Sequence, residues 1–171
     1  MKKLIVIILS FFIQYTIAQS NMVKGTKYLV GKYGFSQYSV PKFGSLEFGM
    51  CYKEKMFLEF GAFYETGNVS STQFENYGIN VDAMFNVFNL KERVYLNTGI
   101  GAVGGYEYLK TNKSSNRYES FLYGGKYNAE IDVLISSKVS LKTEFSQWYL
   151  HNSKLGQWYY TLMIGISYNL N

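Results

Sequence analysis

Trp158-Tyr159-Tyr160-Thr161-Leu162-Met163-Ile164-Gly165-Ile166-Ser167-Tyr168-Asn169-Leu170 decides the fold. Taken every second residue, Trp158, Tyr160, Leu162, Ile164, Ile166, Tyr168 and Leu170 are all apolar or aromatic. The intervening Tyr159, Thr161, Met163, Gly165, Ser167 and Asn169 are smaller and mostly polar. Side chains alternate across a strand with period two, so one face is greasy along its whole length and the other tolerates water. A soluble strand is usually about five or six residues long, whereas crossing an outer membrane takes roughly 9–11 tilted residues. Aromatics at both ends of the greasy face, with aliphatics between, suit a strand that meets two water–lipid interfaces. An edge strand of a soluble sandwich could carry the same pattern, so the remaining segments must decide.

Seven further segments repeat the alternation. They run over 28–35, 43–52, 56–65, 76–87, 94–109, 121–135 and 138–150, with 158–170 as the eighth. The first is the least defined, because apolar residues fall on both of its faces. In the others the polar face carries Glu47, Glu59, Asp82, Glu107, Glu130, Asp132 and Glu144, with Lys126 and Lys142. Buried charge is costly in a soluble core unless it is paired. Inside a narrow barrel such charges pair with one another. No segment inverts the pattern by placing charge among the aliphatics. An even strand count fits a single-chain bacterial barrel. The fold expected is therefore all-β, an eight-stranded antiparallel up-and-down transmembrane β-barrel. Eight strands leave an interior that side chains fill, so no open pore is expected.

The connections alternate in length. Lys53–Lys55, Phe88–Arg93 and Ser136–Ser137 are short. Ser36–Lys42, Thr66–Phe74, Lys110–Ser120 and His151–Gln157 are longer and richer in Ser, Asn and Gly. Longer loops belong outside the cell, which places both termini in the periplasm. Residues 1–18 read as a signal peptide, with Lys2 and Lys3, an apolar run from Leu4 to Ile13 and the small-residue end Thr16-Ile17-Ala18. The barrel then spans 19–171. The net charge is +5, of which the signal holds two lysines, and the rest is too scattered to argue for nucleic acid. Cys51 is the single cysteine, so no internal disulfide forms.

Two motifs invite a chemical reading. Gly99-Ile100-Gly101-Ala102-Val103-Gly104 matches the dinucleotide fingerprint, which needs a helix to open at its second glycine. Alternation continues through Gly105-Tyr106-Glu107-Tyr108 instead, so the glycines are read as making room in the barrel. His151-Asn152-Ser153 is similar to the His-x-Ser pair of outer-membrane lipid A deacylases, but no acid stands nearby in sequence to orient the base. No catalytic, cofactor-binding or metal-ligating residue is assigned. On the terminal strand, Ile164 faces lipid and Gly165 faces inward, where Gly165→Ser is expected to be mild.

Gly105-Tyr106-Glu107, Phe121-x-Tyr123-Gly124-Gly125, Val139-x-Leu141 and the strand led by Gly165 together resemble the conjugal transfer protein TraO family of Bacteroides-type conjugative transposons. The resemblance covers most of the mature chain and is concentrated between Val94 and Phe145. It implies a non-enzymatic outer-membrane component of a conjugative transfer apparatus, whose partners are other envelope proteins of that apparatus together with outer-membrane lipid and lipopolysaccharide. The chain departs from that family in ending Leu170-Asn171 rather than on an aromatic residue, and in its short loops. The alternative is a stand-alone OmpX- or OmpW-like barrel acting in adhesion, stress resistance or passage of a small apolar ligand. A lipid A-modifying enzyme is the third reading.

Overall fold

In the computed structural model every one of the eight segments is a strand, and each pairs with the next. Residues 24–38, 42–69, 72–91, 93–111 and 117–170 are described; the expected signal segment lies outside them. The strands are β1 (Lys27–Ser36), β2 (Phe43–Lys53), β3 (Met56–Val69), β4 (Thr72–Leu90), β5 (Val94–Thr111), β6 (Arg117–Leu134), β7 (Val139–His151) and β8 (Trp158–Asn169). All pairs are antiparallel, and β8 closes on β1 through Tyr28↔Asn169 to Ser36↔Thr161. No sheet edge is left along the closed part of the wall, which is the condition for surviving in lipid without unpaired backbone groups.

The registers fix how the strands lean. One circuit runs from Lys27 to Met50, Leu58, Ala83, Ile100, Tyr127, Gln147 and Tyr160. The Tyr160 carbonyl then accepts from the Gln37 amide, so the circuit returns ten residues further along, at 37 rather than 27. That stagger requires strongly tilted strands, within the roughly 35–45° typical of barrels.

Alternation sorts the two faces as the sequence predicts. On β8 the buried residues are Tyr159, Thr161, Met163, Gly165, Ser167 and Asn169, and every residue between them is exposed. Leu46, Ile79, Ile100 and Ile166 are each more than 60% exposed on the outer wall. A continuous apolar surface of this kind is stable only against lipid. At its long-loop end it is edged by rings: Tyr77 to Tyr106 at 6.0 Å, Tyr106 to Phe121 at 5.3 Å, Phe121 to Tyr123 at 6.2 Å and Tyr149 to Trp158 at 4.8 Å. Tyr52 and Tyr168 are exposed on the outer wall toward the opposite end.

Three expected connections change. The predicted loop Thr66–Phe74 is mostly ladder, because β3 and β4 stay paired as far as Val69↔Thr72. Likewise β5 and β6 stay paired to Lys110↔Arg117. Beyond the aromatic ring these strands have no lipid to face, so their greasy face ends while their hydrogen bonds continue. The turn predicted over Phe88–Arg93 is shorter, since β4 passes a bulge between Asn86 and Phe88 and runs on to Leu90.

Candidate functional site: the charged barrel interior

The register of β1 is settled by its neighbours. Tyr28, Val30, Lys32 and Ser36 are buried inside the barrel, and Leu29, Tyr33 and Phe35 face out. Lys32 is thereby the centre of the interior, although no alternation in β1 marks it. Its Nζ lies 2.6 Å from Glu47 Oε2, donates to Glu144 Oε2, and stands 3.6 Å from Glu130 Oε2 and 3.9 Å from Glu59 Oε2. Four strands besides its own converge on one ammonium.

Two more lysines extend the lattice. Lys142 Nζ sits 2.9 Å from Glu130 Oε1, 3.1 Å from Glu59 Oε1 and 3.9 Å from Asp132 Oδ2. Lys126 Nζ sits 3.0 Å from Asp82 Oδ2 and 4.0 Å from Glu144 Oε1, and 5.0 Å from the centre of the Trp148 ring. Neutral donors join the lysines on these carboxylates. Asn128 Nδ2 donates to Asp82 Oδ1 at 2.9 Å, Asn97 Nδ2 to Glu130 Oε1 at 3.0 Å, and the Tyr28 hydroxyl to Glu59 Oε1 at 3.0 Å. Asn80 donates to Asp82 as well. A buried charge costs several kcal/mol unless pairing and hydrogen bonds repay it, and here each ammonium has at least two carboxylates. Glu47, Glu59 and Glu144 bring carboxylate oxygens within 4.8 Å of one another, as a metal site would. They converge on the Lys32 ammonium, which is the cation of that cluster.

Apolar layers close this lattice on both sides. Toward the long loops, Phe43 stacks on Phe63 at 5.9 Å, Trp148 lies edge-on to Phe63 at 5.3 Å and parallel to Tyr159 at 5.6 Å, and Val103, Leu122, Leu150 and Met163 complete the layer. Toward the short turns, Tyr28, Val30, Cys51, Phe57 and Met84 form the second. A cavity beside Lys142, Asp132 and Ser167 measures about 10 Å³, room for roughly one water at most. Space is so short that Gly101 lies against the Asp82 carboxylate and Gly99 against Met84, where a Cβ would collide. Gly99 and Gly101 of the fingerprint-like run thus serve close packing on β5, Gly104 stands in open space, and no helix opens there.

The motif at His151 comes apart in space. The Ser153 hydroxyl donates to Glu107 Oε2 at 2.9 Å, and the Lys154 amide donates to Glu107 Oε1 at 2.8 Å. The His151 ring packs on Tyr123, centres 4.9 Å apart, on the outer wall. Ser153 does find an acid, 46 residues earlier in the chain, but its hydroxyl points to that carboxylate and not to the imidazole. The pair works as a tie: the loop between β7 and β8 is pulled across the mouth to β5. Tyr38, from the loop after β1, packs on Tyr159 at 5.7 Å and joins the same cap.

Comparison with solved structures gives the architecture a context. Ail, the attachment invasion locus protein of Yersinia pestis, is 15% identical, covering 86% of this chain and all of that one, with a TM-score of 0.57. Neisserial surface protein A is 12% identical, covering 84% and 94%, with a TM-score of 0.59. A major outer membrane protein from Thermus thermophilus is 10% identical, covering 86% and 100%, with a TM-score of 0.66. At these identities the likeness is one of fold: a small eight-stranded outer-membrane β-barrel. No protein-family model matches the chain and no curated protein is similar to it, so the resemblance to the conjugal transfer family gains no support there.

Proposed function

We propose that this chain is a non-enzymatic, non-conducting barrel of the outer membrane that works through its outer surfaces. Both termini and the short turns face the periplasm, and the long hairpins face outward. The observation that carries the reading is the sealed interior. A lattice of ion pairs held between two apolar layers leaves no passage for a small apolar ligand among the described residues. What remains for contact is the lipid-facing wall, the short-turn rim and the hairpins β3–β4 and β5–β6 beyond the aromatic ring. Adhesion or scaffolding fits these surfaces better than transport or catalysis.

Service in a conjugative transfer apparatus is the finer form of the same reading, and it rests on the family resemblance alone. A rigid barrel that docks envelope proteins would suit that role. Deletion of the gene separates the two forms. Transfer of its element falling by orders of magnitude, with growth and envelope integrity unchanged, supports the conjugation role. Normal transfer supports the stand-alone barrel. Resistance to carbonate extraction and faster migration of the unheated protein on a gel test membrane residence itself.

A further inference from the structure

The described charges are not spread evenly over the molecule. Eight carboxylates, those of Glu47, Glu59, Glu65, Asp82, Glu107, Glu130, Asp132 and Glu144, are buried inside with three lysines. Of the bases outside the barrel whose side chains are described, Lys42, Lys110 and Lys154 stand at the long-loop end and the other seven gather at the short-turn rim. Lys53 and Lys55 flank Glu54 in the β2–β3 turn, Lys91 and Arg93 stand in the β4–β5 turn, and Lys138 ends the β6–β7 turn. The fourth quarter of the ring comes from the segment leading into β1, which carries Lys24 and Lys27. It is held to the wall by hydrogen bonds from the Gly25 amide to the Cys51 carbonyl at 2.9 Å and from the Cys51 amide to the Thr26 carbonyl at 2.8 Å. All seven but the half-buried Arg93 are exposed. Glu54 is the described acid among them, and Glu92 adds one more in sequence.

Their height matters as much as their number. The turns are too short to carry charge away from the wall. Lys53 follows the exposed Tyr52, and its ammonium lies 5.7 Å from the centre of that ring. Lys27 is two residues from the outward Leu29, Lys91 follows the exposed Leu90, and Lys138 precedes Val139, where β7 enters the belt. Long basic side chains rooted at the edge of an apolar belt extend to the headgroup level of a bilayer. Backbone geometry adds a second argument. Lys55 has φ 67° and Lys91 has φ 51°, left-handed turn positions where Gly or Asn fits with less strain. A lysine at two such corners is not what turn formation by itself selects.

We propose that this ring binds the phosphate groups of anionic phospholipids in the leaflet at the short-turn end; its assignment to the periplasmic leaflet rests on the outer-membrane reading above. Attraction of clustered bases to an anionic membrane surface is additive over charges near that surface and is screened by salt. The ring would fix the depth and tilt of the barrel by holding one rim at the headgroups all round its circumference.

The test uses the mature chain folded in detergent micelles, with native mass spectrometry reading retention of phosphatidylglycerol against phosphatidylcholine. The expected result is at least about tenfold stronger retention of phosphatidylglycerol at low salt, lost at high salt. In the variant Lys53→Gln, Lys55→Gln, Lys91→Gln, Arg93→Gln, Lys138→Gln the preference should fall to within about twofold. Lys110→Gln with Lys154→Gln, at the opposite end, should leave it intact. The gel shift on heating monitors folding of each form, and the salt dependence of the wild type stands even if the fivefold variant does not fold. No preference in the wild type, or a folded fivefold variant that keeps it, overturns the proposal. Sedimentation with cell-wall sacculi without lipid preference would also overturn it, assigning the ring to the carboxylates of the wall. A wild type with no heat-dependent shift would overturn the membrane reading itself, and the ring with it.

Discussion

Lys32 shows what a single residue does in this barrel and why the sequence hides it. It shares its face with Tyr28 and Val30 while Leu29, Tyr33 and Phe35 occupy the other, so β1 offers no contrast between faces. The charges on β2, β3, β4, β6 and β7 were legible because each sits opposite a largely apolar face. Lys32→Met would leave Glu47 and Glu144 buried without their nearest cation, at a cost of about 3–5 kcal/mol. Urea unfolding of the folded barrel should register that loss, and Lys32→Met with Glu144→Gln should lose less than the sum of the two single changes. At the terminal strand, Ile164 is exposed on the outer wall, so Ile164→Arg should cost about 2–4 kcal/mol near mid-membrane. Gly165 is a correction to the sequence reading. A Cβ there would lie 2.5 Å from the Gly31 carbonyl oxygen and 3.1 Å from Lys32 Cα, both backbone atoms that cannot step aside. Gly165→Ser is therefore expected to destabilise by about 1–3 kcal/mol in the same unfolding measurement, not to be mild. Alternation tells which face a residue belongs to; it does not tell how close the neighbouring strand comes.

At the scale of elements, the segments that cross the belt were legible and their extensions were not. Lipid imposes one apolar face on every strand it touches, and that constraint writes period two into the sequence. Beyond Tyr77 and Tyr106 the constraint lapses, so Thr66-Gly67-Asn68-Val69 reads as loop although it is paired strand. The cap over the mouth was invisible for a different reason: Ser153 and Glu107 are distant in sequence, and only barrel closure brings the loop after β7 against β5. That tie makes a prediction of its own. Lys154 is exposed, yet its amide is held by Glu107, and a protease needs several residues of loop freed from the wall. Glu107→Ala removes both acceptors at once and should raise tryptic cleavage after Lys154 about tenfold under conditions where the barrel stays folded. Equal cleavage rates in the two proteins would mean that the loop is held by Tyr38 and Tyr159 instead.

For the whole molecule, the order of the interior layers decides whether anything can pass. An ion entering from the long-loop end meets the tied loop, then the rings of Phe43, Phe63, Trp148 and Tyr159, then the ion-pair lattice, then Val30, Phe57 and Met84. These barriers act in series, so opening one does not open the path. The apolar layers exclude hydrated ions because neither offers partners to replace the hydration shell. The lattice excludes them differently, because its ammonium groups already occupy the positions where carboxylates converge. Reconstituted in planar bilayers, the wild-type barrel should give no steady conductance steps. Phe43→Ala with Trp148→Ala, which clears the first apolar layer, should remain silent for the same reason, while losing stability through the cavity it creates. Conductance appearing when Lys32→Met is added would show that the layer of Val30, Phe57 and Met84 does not bar ions by itself. Persistent steps from the wild type would contradict the sealed interior, and with it the argument that this barrel acts through its outer surfaces.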